Sequence, residues 1–216
     1  MNRERPLLPC PLCFSNHTKP FFEADRRTYF LCPSCSLLFL PEAYWPSAEE
    51  ERARYDKHQN SPDDNGYVAF LNMMAVPLVK LLAPGAKGLD YGSGPSPVLS
   101  DILNKKGYPT QHYDPVYFPD LPKGPYDFIV STEVFEHFRF PREEIQYLRK
   151  LLLAGGFLGI MTSLWDEKTF RDNWHYRRDI THLCFYNLKT IEQICGDFDF
   201  KLTWTDHERV HILRKL

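Results

Sequence analysis

The chain has 216 residues, 43% hydrophobic and 15% aromatic, with 26 basic against 28 acidic side chains and a formal charge of −2. That is room for one α/β domain with a small appendage, and it excludes the broad basic field by which nucleic-acid enzymes gather phosphate. No window approaches the ~20 apolar residues of a membrane span, and residues 1–9 lack the apolar centre of a signal peptide, so the expectation is a soluble cytoplasmic protein.

Residues 1–42 read as a small zinc-ribbon-like module. Two knuckles, Cys10-Pro11-Leu12-Cys13 and Cys32-Pro33-Ser34-Cys35, are separated by 18 residues, inside the spacing window of four-cysteine zinc sites. A two-residue gap lets both thiolates of one tight turn reach a single ion, and two such turns complete a tetrahedron. Four thiolates leave no open position, so zinc held by Cys10, Cys13, Cys32 and Cys35 would be structural, and its binding would supply folding free energy. Disulfides or four free thiols are the competing readings; a cytoplasmic chain disfavours the former. Residues 28–31 and 37–40 read as strands. Cys184 and Cys195 stand alone on apolar segments and read as core residues.

Residues 43–64 form a charged connector. The run 49–54 reads as an exposed helix, and its position just ahead of the next domain suits a lid. Tyr55, His58 and Gln59 would then reach the site.

Residues 65–216 read as the main domain. Tyr67, Phe70, Leu71, Met74, Leu78, Leu81 and Leu82 share a helical face, with a kink expected at Pro77. A short apolar strand follows and runs into Asp90-Tyr91-Gly92-Ser93-Gly94-Pro95-Ser96-Pro97. The glycines allow a tight turn and close backbone approach to a ligand. Ser96 is placed to cap, and Pro97 to begin, a helix over 98–106. The next apolar stretch, 108–113, ends in Asp114, at the range where such folds hold a ribose acid.

This segment resembles the class I S-adenosylmethionine (SAM)-dependent methyltransferases. Their first motif reads acid-x-Gly-x-Gly-x-Gly, matched by Asp90, Gly92 and Gly94, with Ser96 in place of the third glycine. The resemblance runs from residue 65 to the C-terminus. It implies a Rossmann-like, mostly parallel sheet ending in an antiparallel hairpin. It also implies SAM held by Asp90, Tyr91, Gly92, Gly94, Asp114 and Pro115. The family's next helix and strand are missing: only residues 115–125 separate Asp114 from the following strand, and Asp120-Leu121 reads as a remnant of the lost one. Residues 126–131 read as a buried strand. The stretch Thr132-Glu133-Val134-Phe135-Glu136-His137-Phe138 after it resembles the family's fourth motif, which adds Thr132, Glu133 and His137 to the cofactor site. His137 reads first as structural. A helix is expected over 141–153, closed by Gly155-Gly156, and then a fifth strand over 157–162.

The segment Trp174-His175-Tyr176-Arg177-Arg178-Asp179-Ile180-Thr181-His182-Leu183-Cys184-Phe185-Tyr186 resembles the Thr-His-x-x-x-(Phe/Tyr) stretch beside the acceptor of small-molecule methyltransferases. His182 is the first candidate for a general base, because an imidazole titrates near neutrality, with His175, Asp179 and Glu133 as reserves. Arg177 and Arg178 can anchor a carboxylate or phosphate on the acceptor, and Trp174, Tyr176, Phe185 and Tyr186 can wall a compact pocket. Asn187 then caps a helix carrying Leu188, Ile191 and Ile194, and strands over 198–204 and 210–213 complete the hairpin.

The expectation is SAM-dependent methyl transfer to a small-molecule or carrier-linked acceptor, with structural zinc and without nucleic acid or membrane as partner. No oligomeric state follows from the sequence. One alternative is an RNA-modifying methyltransferase whose zinc module grips RNA, as in zinc-bearing rRNA guanine methyltransferases. Another is a catalytically inactive SAM-binding protein. The order of zinc module and methyltransferase also resembles nucleotide-sugar C-methyltransferases, without their further C-terminal domain.

Overall fold

The computed structural model describes residues 8–57, 61–172 and 174–216; His58 and Gln59, expected near the site, lie outside them. Ten strands and seven α-helices occur among the described residues: β1 (Lys19–Ala24), β2 (Arg27–Leu31), β3 (Leu38–Phe39), α1 (Ala48–Tyr55), α2 (Asn65–Val79), β4 (Gly88–Tyr91), α3 (Val98–Lys105), β5 (Thr110–Tyr113), β6 (Tyr126–Thr132), α4 (Pro141–Leu151), β7 (Leu152–Met161), α5 (Glu167–Arg171), α6 (His175–Arg178), β8 (Cys184–Phe185), α7 (Leu188–Asp197), β9 (Phe200–Thr205) and β10 (Val210–Lys215).

The main sheet runs β5-β4-β6-β7-β10-β9. Strands β5, β4, β6 and β7 are parallel, and β10 and β9 join antiparallel at the far edge. The central strands are continuous buried runs, as a sheet covered on both faces requires. Helix α2 packs Met74 against Gly159 of β7, where an added Cβ would come within 2.7 Å of the methionine sulfur. The sheet order reverses at β4, with β5 on one side and β6 on the other. The crevice beyond the carboxyl ends of β4 and β6 is therefore a topological switch point, the usual ligand position in open α/β sheets.

Several local expectations are corrected. Ser96 does not cap α3: Pro97 holds the N-cap position, and no side chain caps the helix. Strand β7 starts directly after α4, so Gly155-Gly156 lie inside it, in a bulge between the Tyr126 and Phe128 pairings. Asp120-Leu121 form no strand, which leaves β5 at the sheet edge.

The second sheet runs β1-β2-β3-β8, antiparallel throughout. Three strands come from the first 42 residues. The fourth, Cys184–Phe185, comes from the segment beyond β7, so the N-terminal module and the segment carrying His182 share one sheet. Phe170, fully buried, binds the two together: its ring lies edge-on to Tyr29 (5.2 Å) and Phe185 (5.2 Å).

Each cysteine knuckle repeats one geometry. Cys10 N–H donates to Ser15 O and Phe14 N–H to Cys10 O; Cys32 N–H donates to Leu37 O and Ser36 N–H to Cys32 O. Phe14 and Ser36 occupy the same left-handed conformation, φ 59° in both. The four sulfurs lie within 4.8 Å of one another, with Cys10–Cys35 at 3.6 Å and Cys13–Cys32 at 3.5 Å, and none is disulfide-bonded. Four thiolates ~2.3 Å from one ion would stand about 3.8 Å apart, so the cluster has the size of a tetrahedral zinc site.

Candidate functional site

A cavity of about 950 Å³ opens at the switch point. Its floor is the turn after β4. Gly92 has φ +82°, and a Cβ there would stand 2.4 Å from Val134 Cγ2, so conformation and space both demand glycine. Gly94 is needed for its φ of +65° alone. The turn is tied to β5: Gly92 and Ser93 N–H donate to Tyr113 O (2.8 and 3.1 Å), and Gly94 N–H donates to Asp114 Oδ2 (2.9 Å). Asp114 Oδ1 accepts from Val116 and Tyr117 N–H. Asp114 thus fixes the glycine turn before any ligand arrives. Three of its roughly four lone-pair directions are thereby used, which leaves one free toward the cavity. Pro115, Thr132, Tyr91 and Ser96 also line the cavity. Tyr91 Oη donates to Glu144 Oε2 (2.7 Å).

Asp90 lies beneath the turn, 3% exposed, and accepts from Ser100 Oγ at 3.2 Å. Burial pushes its carboxyl up to about 7, against the Ser100 hydrogen bonds and with help from the Asp114 charge.

Beyond β6 the backbone turns sharply. Glu133 takes φ 54°, a strained conformation for a side chain of its size and one that gathers at functional sites. Its Oε1 accepts from Arg209 Nη1 at 2.9 Å. Burial, then the neighbouring Glu136 charge, raise its carboxyl to about 8 despite that arginine. Glu136 is fully buried on the following turn, and its Oε2 accepts from Thr162 Oγ1 at 2.8 Å. Thr162 Oγ1 in turn stands 2.8 Å from Tyr176 Oη.

The 174–186 segment divides. His175, Tyr176, Arg178, Asp179 and His182 line the cavity. Arg177 does not: its guanidinium, 5% exposed, turns to the N-terminal module, pairs with Asp25 (3.1 Å) and lies over the Phe22 ring (5.0 Å). Of the arginine pair, Arg178 alone lines the cavity. Trp174 and Phe185 pack with Phe170, and Tyr186 donates to Phe135 O, so Tyr176 is the one expected aromatic on the cavity wall. Its hydroxyl is spent on Thr162 and Ser163, and its ring meets His182 at 4.2 Å.

His182 lies on the cavity wall with its titration moved away from neutrality. Burial, reinforced by His137, pushes its imidazole down to about 3, and Nδ1 lies 2.8 Å from the Tyr176 carbonyl. Burial lowers His137 as well, and its Nδ1 lies 2.9 Å from the Thr181 carbonyl. Asp179 is held well below the usual carboxylate range. Burial opposes this, but Arg54 and Thr181 hydrogen bonds outweigh it.

Helix α1 roofs the cavity, with Glu51, Arg54 and Tyr55 on its lining. Ser47 and Glu50 form a reciprocal capping box at its start. Three contacts hold it down: Arg54–Asp179 (2.6 Å), Glu51–Arg139 (2.9 Å) and Asp56–Tyr117 (2.8 Å). Arg54, Arg139, Arg209 and Glu136 were not expected at the site. The spacing Glu133-x-x-Glu136-His137 carried a signal for Glu136; the arginines sit in segments without pattern.

A methyltransferase-domain family model matches residues 67–204. No curated protein matches the chain. Among solved structures, an O-methyltransferase family protein from Burkholderia thailandensis superposes with TM-score 0.56 at 16% identity, over 81% of this chain and 65% of that one. The 1,6-didemethyltoxoflavin-N1-methyltransferase of the same organism, solved with its substrate and S-adenosylhomocysteine, gives 0.53 at 12%, over 91% and 99%. An O-methyltransferase family 2 protein from Planctomyces limnophilus, in complex with apigenin, gives 0.52 at 14%, over 79% and 62%. The chain spans less than two thirds of the first and third of these. Identities this low speak for the fold alone, whereas the family model covers more than half of the sequence: the chain belongs to the methyltransferase-domain family, with the class I SAM-dependent fold.

Proposed function

We propose that the protein transfers the methyl group of SAM to a small or carrier-linked acceptor inside the cavity, and that zinc on the four cysteines holds the N-terminal module together. The observation that carries this is the convergence on one cavity of the Gly92–Gly94 turn, Asp114, Glu133 and the Asp179–His182 segment, beside helix α1. SAM supplies a methyl group already activated by its sulfonium. The protein's task is to align the acceptor and keep the site dry. The glycine turn and Asp114 orient the nucleoside end. Asp90, a buried acid, and Glu133, a half-buried one, favour a cationic cofactor. Arg178 anchors an anionic group on the acceptor. The volume lies at the upper end of small-ligand sites, ~300–1,000 Å³, which suits a cofactor beside a compact second molecule. RNA is disfavoured, because Arg27 and Arg177 are both turned into the contact between module and segment.

Calorimetry on the purified protein should show binding of SAM and S-adenosylhomocysteine and none of NAD, with Asp114→Ala weakening SAM by ~1–3 kcal/mol. Binding of NAD without SAM would overturn the reading. Methyl transfer confined to bulk RNA in a screen against a metabolite pool would overturn the acceptor class.

A further inference from the structure

The turn after β6 sets Glu136 and His137 side by side, and the 174–186 segment brings His182 to meet them. One ligand-capable atom from each of the three lies within 4.8 Å of the others. The imidazoles stand edge to face, 4.8 Å between ring centres. The backbone fixes their tautomers. A carbonyl oxygen can only accept, so the Nδ1 atoms facing the Thr181 and Tyr176 carbonyls carry the protons. Each ring is left with an unprotonated Nε2. This is the arrangement of metal-binding histidines, whose second nitrogen donates to a carbonyl that fixes ring and tautomer. The carboxylate supplies a separate observation. Glu136 is fully buried, one oxygen accepts from Thr162, and Oε1 has no partner among the described residues. A buried carboxylate oxygen without a donor is costly unless something cationic meets it. Arg209 is engaged by Glu133 and Arg54 by Asp179.

We propose that Glu136 Oε1, His137 Nε2 and His182 Nε2 form a site for a divalent cation such as Mn²⁺ or Fe²⁺ at the cavity wall. Two imidazoles and one carboxylate suit such ions, and three protein ligands leave positions open. His137 and His182 both line the cavity, so those positions face the acceptor. The acceptor class follows: a molecule with a hydroxyl, the group whose proton a Lewis acid loosens. The hydroxyl proton passes to water. The oxygen's electron pair forms the O–CH₃ bond as the methyl–sulfur bond breaks, and that pair stays on sulfur as a neutral thioether. This role rests on the cavity being the methyl-transfer site; cation binding does not.

The test uses the full chain with its zinc content measured. Mn²⁺ is added and the free ion followed by electron paramagnetic resonance, since four thiolates select zinc over Mn²⁺. One Mn²⁺ per chain is expected, weakened at least ~10-fold in Glu136→Gln and His182→Asn with zinc content and the circular-dichroism signature of the fold unchanged. Should either buried substitution unfold the protein, His137→Gln at the half-buried position gives the same comparison. Absence of saturable Mn²⁺ binding, or equal binding by folded variants, overturns the site. SAM binding without Mn²⁺ removes the site and leaves the methyltransferase reading standing; Mn²⁺ binding without SAM does the reverse. Against phenols, catechols and amines of matched size, transfer to hydroxyls that rises with Mn²⁺ is expected, and transfer confined to amines overturns the acceptor class.

Discussion

Asp90 is a buried acid with one neutral donor for company, and this gives it a pH signature. Its carboxyl titrates at about 7 in the fold, against an ordinary 3.8. The folded protein therefore holds this proton more tightly than the unfolded chain does. The stability it contributes is complete below about pH 4 and is lost as pH rises through about 7. Asp90→Asn, isosteric and uncharged, should lose less stability than wild type between pH 4 and pH 8, by roughly 2–4 kcal/mol, read from denaturant unfolding at the two pH values. Equal slopes would mean that Asp90 is already ionised. A cationic ligand favours the ionised form, so the same acid couples proton release to cofactor binding. Wild-type affinity for SAM should rise from pH 6 to pH 8, and calorimetry in buffers of different ionisation enthalpy should detect protons released. A pH-independent affinity would separate the acid from the cofactor. Glu133, at about 8, adds in the same direction.

Helix α1 is held over the cavity by a few side-chain contacts whose arginine ends are more than a third exposed, so solvent screens them; the Arg54–Asp179 contact is the firmer, since Asp179 is only 8% exposed. Such a helix can open without the domain unfolding. Arg54→Ala should leave the melting temperature within a few degrees of wild type while speeding SAM dissociation, measured by stopped-flow fluorescence; unchanged release would make α1 a fixed wall. Elements of this kind were legible in the sequence because their signals are local. The charge run at 49–54 marked α1, Asn187 marked the cap of α7, and the glycine turn between an apolar strand and a helix marked the junction of β4 and α3 at the cavity. Non-local pairing was not legible. Strand β8 is two residues long and exists because β3 offers it an edge. Arg177 and Arg178 look equivalent in sequence, yet successive positions of a short helix point to different sides, one toward Asp25 and one toward the cavity. The lowered titration of His182 was not legible for a related reason: residue type gives an imidazole its ordinary titration, and only the packed surroundings reveal how far burial moves it.

At the scale of the whole molecule, the cysteine module is part of the site's framework. Its second knuckle, Cys32–Cys35, joins the end of β2 to the start of β3. Strand β3 pairs with β8, two residues beyond His182. Helix α6 ahead of it is held by side chains of β2: Tyr29 Oη (3.3 Å) and Arg27 Nη2 (3.1 Å) both donate to Arg177 O. The cores of the two parts are continuous, since Cys10, Cys32 and Cys35 pack in the same cluster as Leu89 and Ile129 of the main sheet. The glycine turn and Asp114 sit on the opposite flank of the cavity, carried by β4 and β5. Loss of zinc should therefore be felt on one side only. In Cys13→Ser, zinc falls below one equivalent by elemental analysis, and acceptor turnover should fall about tenfold or more, because the His182 segment loses the sheet that positions it. The dissociation constant for SAM should change only a few-fold, and resupplied Mn²⁺ should not restore turnover. If turnover survives zinc loss, the module is a separate appendage; if SAM binding collapses in parallel, the two flanks form one folding unit and the module supports both.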